Sequence, residues 1–116
     1  MIMTEKVKER VSITFMSGPY DGGEFFLEQM PITLGRESHH QVSIFYDLLV
    51  SRNHARISLN NEGYWVEDTQ STNGTYLNEE KIEKKTRLAS GDIVKLGNTW
   101  LKFVIRSGVP EEEPAE

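Results

Sequence analysis

The sequence predicts an all-β fold, a β-sandwich, on three observations. Apolar and polar residues alternate with period two in several short runs, as where Val11, Ile13 and Phe15 interleave with Ser12, Thr14 and Met16; this is the pattern of a strand with one buried face. Turn-forming Gly, Pro, Asn and Asp interrupt the runs about every eight to twelve residues, the rhythm of a sandwich. No stretch of about a dozen residues keeps a 3.6-residue period with capping residues and free of Gly or Pro, so helix content is expected to be very low.

Taken in order, residues 1–10 are polar and charged without period and read as a flexible lead. The strand through Val11, Ile13 and Phe15 turns at Gly18-Pro19 and Gly22-Gly23 into a second alternating run at Phe25 and Leu27, making a hairpin. Pro31 separates it from Ile32, Thr33 and Leu34, which lead into Gly35-Arg36. A polar loop, Glu37-Ser38-His39-His40-Gln41, and an apolar patch (Val42, Ile44, Phe45) follow. The run from His54 to Leu59 predicts a strand burying Ala55, Ile57 and Leu59. Asn60-Asn61-Glu62-Gly63 turns it back into Tyr64-Trp65-Val66-Glu67, and later runs follow at Tyr76-Leu77, Lys81-Ile82, Ile93-Val94-Lys95-Leu96 and Leu101, Phe103, Ile105. The sandwich is expected over residues 11–107. The acidic tail over 108–116, with three consecutive glutamates and Pro114, is expected to be disordered because it buries too little apolar area to offset its ordering entropy.

Bulk composition narrows the function. With 116 residues the chain forms one domain with a single two-layer core. It has no cysteine, which excludes disulfides and thiolate metal sites and favours the cytoplasm. No apolar run is long enough to span a bilayer, so membrane insertion is not expected. The net charge of −5 disfavours general attraction to nucleic acid, so any anion has to be held locally by short-range donors.

Three polar islands provide such donors: Gly35-Arg36, Ser51-Arg52-Asn53-His54, and Ser71-Thr72-Asn73-Gly74-Thr75. Each lies on a connection between strands, and together they offer hydroxyls, side-chain amides, guanidinium and glycine-freed backbone N–H groups, a receptor for a dianion such as phosphate. These motifs, with Gly91-Asp92 downstream, resemble the forkhead-associated (FHA) domain over roughly residues 32 to 105. The resemblance implies a two-sheet antiparallel sandwich of about ten or eleven short strands with its binding loops at one end. It also implies phosphothreonine-peptide binding, with Arg36, Ser51, Arg52, Thr72 and Asn73 contacting the phosphopeptide and Gly35, His54 and Gly74 supporting them. Arg36 suits phosphate because its planar fork serves two oxygens at once, and Asn73 suits peptide backbone because its amide both donates and accepts. The implied partner is a phosphothreonine-containing protein downstream of a Ser/Thr protein kinase, with no cofactor. The alternative is a phosphate-independent scaffold or oligomerisation domain of the same fold.

Enzyme chemistry is not expected. Ser51, His54 and Asp68 or Asp92 suggest a hydrolase triad, but no Gly-x-Ser-x-Gly elbow surrounds Ser51. Asp68 and Asp92 read instead as turn-bonding acids. His39 and His40 suggest a metal, yet neighbours in an extended chain point opposite ways, so they read as part of a solvated loop beside Arg36 that helps choose residues flanking the phosphothreonine.

Overall fold

A computed structural model describes residues 7–110. The strands in order are β1 (Val7–Phe15), β2 (Glu24–Leu27), β3 (Ile32–Gly35), β4 (Val42–Ser43), β5 (Ala55–Asn60), β6 (Gly63–Asp68), β7 (Thr75–Leu77), β8 (Glu80–Lys81), β9 (Thr86–Leu88), β10 (Ile93–Leu96) and β11 (Thr99–Pro110). They form a six-stranded sheet ordered β2-β1-β11-β10-β7-β8 and a five-stranded sheet ordered β4-β3-β5-β6-β9. The expected sandwich is therefore the observed one, and the only helical piece among the described residues is a 3-10 turn at Gly18–Tyr20.

The core lies between the sheets and follows the predicted alternation. Val11, Ile13 and Phe15 of β1, Leu101 and Phe103 of β11, and Val94 and Leu96 of β10 point inward from one sheet. Ile32, Leu34, Ala55, Ile57, Tyr64 and Val66 face them from the other. The Tyr64 ring meets Phe103 edge to face, with centroids 5.4 Å apart, the geometry favoured by ring quadrupoles. Its hydroxyl donates to the Glu9 carboxylate at 3.0 Å. Burial, with that bond and the nearby negative charge of Glu9, pushes the phenol up to about 12.

The structure departs from the sequence reading at several elements. Val7–Arg10, expected in the lead, belong to β1, and Gly108–Pro110, expected in the tail, belong to β11. Val7 pairs with Pro110 and Lys8 with Val109, so backbone ladder bonds that have no side-chain periodicity extend both strands. The remaining parts of the expected lead and tail, 1–6 and 111–116, lie outside the described residues. One strand pair is parallel: β4 runs alongside β3, pairing Val42 with Leu34. Leu59, expected inside, is 49% exposed although its cross-strand partner Tyr64 is buried. Strand β9 has one buried residue, Leu88, and too short a pattern to read.

Topology positions the islands. The first two sit on the connections leaving β3 and entering β5, neighbours in one sheet. The third is the crossover from β6 to β7, which carries the chain into the other sheet. Phe103→Ala, which empties the centre of the interface between the sheets, is expected to destabilise the fold by about 3–5 kcal/mol, measured as a lowered urea midpoint at unchanged m-value.

Candidate functional site

Backbone hydrogen bonds stitch the first island to the second. Arg36 N donates to Ser51 O at 3.0 Å, and His54 N to Leu34 O at 2.9 Å. The Arg36 side chain joins in, with Nε donating to Val50 O at 2.9 Å. That bond fixes the guanidinium plane and leaves both terminal nitrogens without a protein acceptor among the described residues. Gly35 is required here by close approach: a Cβ on it would overlap the Arg52 carbonyl and come within 2.5 Å of His40 Nε2.

The second island is joined to the third by side chains. Ser51 Oγ accepts from Thr72 N at 2.9 Å, and Asn73 Nδ2 donates to Leu49 O at 2.9 Å. His54, fully buried, spans the gap. Its Nδ1 accepts from Ser51 N at 3.0 Å, and its Nε2 lies 2.9 Å from Gly74 O. An amide can only donate and a carbonyl only accept, so the ring is neutral with its proton on Nε2. Burial lowers the His54 pKa, in keeping with that state.

The third island is shaped by Asp68. Its carboxylate accepts from Ser71 N at 3.0 Å, from the Ser71 hydroxyl, and from Thr75 Oγ1 at 2.7 Å. Burial acts to raise this carboxyl, but the bonds from Ser71 and Thr75 prevail and hold it below its ordinary value. Ser71 Oγ in turn accepts from Gly74 N at 2.9 Å. Gly74 adopts φ of +87°, and a Cβ there would lie 2.7 Å from Lys81 Cε.

Arg36, Ser51, Thr72 and Asn73 are thus brought to one rim by direct bonds between their loops, with Arg52 beside them. Gly35, His54 and Gly74 lie beneath, buried. Among the described residues neither Arg36 nor Arg52 has a carboxylate within ion-pair distance. The arrangement offers guanidinium nitrogens and hydroxyls outward while every buried ring nitrogen of His54 is satisfied. It does not pair Ser51 with His54 as nucleophile and base: His54 Nδ1 is occupied by the backbone N–H of Ser51 and does not receive its hydroxyl proton.

Two residues escaped the sequence reading. Asp47, buried, accepts from Leu49 N at 3.0 Å, Asn98 N at 2.8 Å and Thr99 Oγ1 at 2.7 Å, and so ties the connection carrying Ser51 to the β10–β11 turn. An acid within an otherwise apolar run, Tyr46-Asp47-Leu48-Leu49-Val50, is the signal that was available. His40, expected in solvent, is instead buried, and its Nε2 donates to Arg52 O at 2.6 Å. A turn at Ser38–His39 replaces the extended geometry that had set the two histidines on opposite sides.

Comparison with known proteins agrees with this architecture. The FHA domain family model matches residues 32–97. The chain is 41% identical over 88 residues to the glycogen accumulation regulator GarA of Mycobacterium tuberculosis, covering 75% of this chain and 52% of that protein. It is 39% identical over 88 residues to the oxoglutarate dehydrogenase inhibitor of Corynebacterium efficiens, covering 75% and 60%. The chain therefore spans little more than half the length of these relatives. A structure from a study of phosphothreonine-dependent FHA domain interactions superposes with a TM-score of 0.72 at 27% identity, covering 82% of this chain and 95% of that one.

Acid should loosen the rim from its centre. The folded-state pKa of His54 lies below the unfolded value of about 6.5, so as pH falls the unfolded chain takes up the proton first and stability declines from about pH 6.5 downward. The depressed Asp68 carboxyl adds a further loss near the acidic end, as pH falls through its folded pKa. Urea titrations between about pH 8 and 5 are expected to show the first decline in the wild type and a flatter profile in His54→Gln, which cannot take up that proton.

Proposed function

The chain belongs to the forkhead-associated family, and on that premise we propose that the rim binds phosphothreonine in a partner protein and makes the interaction depend on a Ser/Thr kinase. The observation that carries the reading is the junction at Ser51. Its carbonyl holds Arg36 N and its Oγ holds Thr72 N, which leaves the Arg36 terminal nitrogens and the Ser51 and Thr72 hydroxyl protons available at one place. A phosphate of about −1.5 to −2 charges meets there donors whose positions are already fixed.

In this reading Arg36 and Ser51 serve the phosphate oxygens, Thr72 adds a hydroxyl, and Asn73 holds peptide backbone through Oδ1, one hydrogen of its Nδ2 being engaged by Leu49 O. Arg52, exposed, adds charge beside them. The named regulators among the relatives and the phosphothreonine-dependent neighbour support a binding module in place of an enzyme. The proposed setting is the cytoplasm, where ATP-dependent kinases generate such ligands. Among the described residues no helix is long and apolar enough to cross a membrane.

Several charge-assisted hydrogen bonds, less the cost of ordering a short peptide, give an affinity near micromolar, about −8 kcal/mol. Preference for phosphothreonine over phosphoserine rests on the γ-methyl, about 0.8 kcal/mol by transfer and more where its loss leaves a void. Titration of a phosphothreonine peptide library, with phosphoserine and unphosphorylated controls, tests this. Arg36→Ala is expected to weaken the selected peptide by about 10- to 150-fold, the equivalent of one charged hydrogen bond of about 1.5–3 kcal/mol, while the backbone bonds of residue 36 preserve the fold. Equal binding of phosphorylated and unphosphorylated peptides would transfer the function to the phosphate-independent scaffold.

A further inference from the structure

The loop between β3 and β4 carries a cluster that phosphate recognition leaves unused. One ligating atom from each of Glu37, His39 and His40 lies within 4.8 Å of the others. The turn at Ser38–His39 stacks the two imidazoles, with ring centroids 4.1 Å apart. His39 Nδ1 also faces Glu37 Oε1 at 3.7 Å.

His40 supplies a separate observation. It is 9% exposed, and its Nε2 donates to the Arg52 carbonyl, so the proton sits on Nε2 and Nδ1 holds a bare lone pair. That nitrogen is buried and has no hydrogen-bond partner. Buried polar atoms without partners are uncommon and call for an occupant. An imidazole whose second nitrogen is anchored on a backbone carbonyl is the arrangement that holds metal-ligating histidines in one tautomer and orientation.

We propose that Glu37, His39 and His40 bind one divalent transition ion of the zinc class, through one carboxylate oxygen and two imidazole nitrogens, with solvent completing the shell. Two imidazoles select against calcium and magnesium, which take oxygen ligands, and mixed N/O donors suit zinc. Around a tetrahedral ion with bonds of about 2.1 Å the ligand atoms stand about 3.4 Å apart, so the cluster has to contract modestly. Glu37 and His39, whose side chains are 45% and 64% exposed, are free to do so, and His39 is the ring that shifts to admit the ion to His40 Nδ1.

The experiment uses the full chain, free of any affinity tag, titrated with zinc by calorimetry and with cobalt by visible absorption. One equivalent is expected to bind, with the intense d–d absorption of a low-coordinate cobalt site and a shift of the His40 Nδ1 nitrogen resonance on adding zinc. His39→Ala and Glu37→Gln, both at exposed positions, are each expected to weaken binding by at least about tenfold, the lower end of what even outer-shell partners contribute, without lowering the metal-free melting temperature. Zinc should raise the melting temperature of the wild type and not that of His39→Ala. Failure of the wild type to bind stoichiometrically, or undiminished binding by His39→Ala, overturns the assignment.

Discussion

The rim depends on one buried imidazole. His54 holds Ser51 N with one ring nitrogen and Gly74 O with the other, and it reaches across 20 residues of sequence to do so. Both partners belong to loops that are also joined near the surface, by bonds from Thr72 N to Ser51 Oγ, from Asn73 Nδ2 to Leu49 O and from Thr69 Oγ1 to Asn53 O. A neutral imidazole has one donor and one acceptor on separate edges of a rigid ring, so it meets an amide on one side and a carbonyl on the other in a fixed plane. The ring lies in the core's own environment, where an unmade bond is costly, so the two loops are either both seated or both disturbed.

From that pin the rest of the site follows as a division between committed and free polar groups. Ser71, Asp68 and Thr75 spend their hydrogen bonds on one another, which shapes the third loop and keeps the Asp68 charge turned inward. Ser51 accepts from Thr72 N and keeps its proton; Arg36 commits Nε and keeps its terminal nitrogens. The groups left over for an anion, the Arg36 terminal nitrogens and the Ser51 and Thr72 hydroxyls, are donors, while Asn73 Oδ1 remains as an acceptor for peptide backbone. Such a site needs little reorganisation when an anion arrives, because the ordering entropy of the loops has been met within the fold.

Much of this was legible in the sequence, for identifiable reasons. The islands stand out because Ser, Thr, Asn, Gly and Arg on strand connections are chemically distinctive, and the core face shows because period-two alternation is imposed by the pleat. Asp47 was hidden because two of its partners, Asn98 and Thr99, lie 51 and 52 residues away. His40 was misread because the rule that neighbours point apart applies to extended chain, and the chain turns at Ser38–His39. The outer ends of β1 and β11 were missed because their pairing is made by backbone groups, to which residue type is nearly silent.

How an acidic chain holds an anion also follows from these contacts. The net charge of −5 is screened beyond about a Debye length, some 8 Å at physiological ionic strength, so it repels phosphate only weakly from a distance. Closer in, what matters is the local balance, and there the carboxylate of the third loop, Asp68, is matched by three donors facing it, while Glu37 beside Arg36 faces His39. The two arginines, by contrast, lack a carboxylate partner among the described residues. The overall charge therefore opposes binding only weakly, and the grip of the rim is set by its local donors. Selectivity among anions then falls to geometry: only a group that reaches Arg36, Ser51 and Thr72 together recovers enough short-range bonds to outweigh the repulsion it crossed.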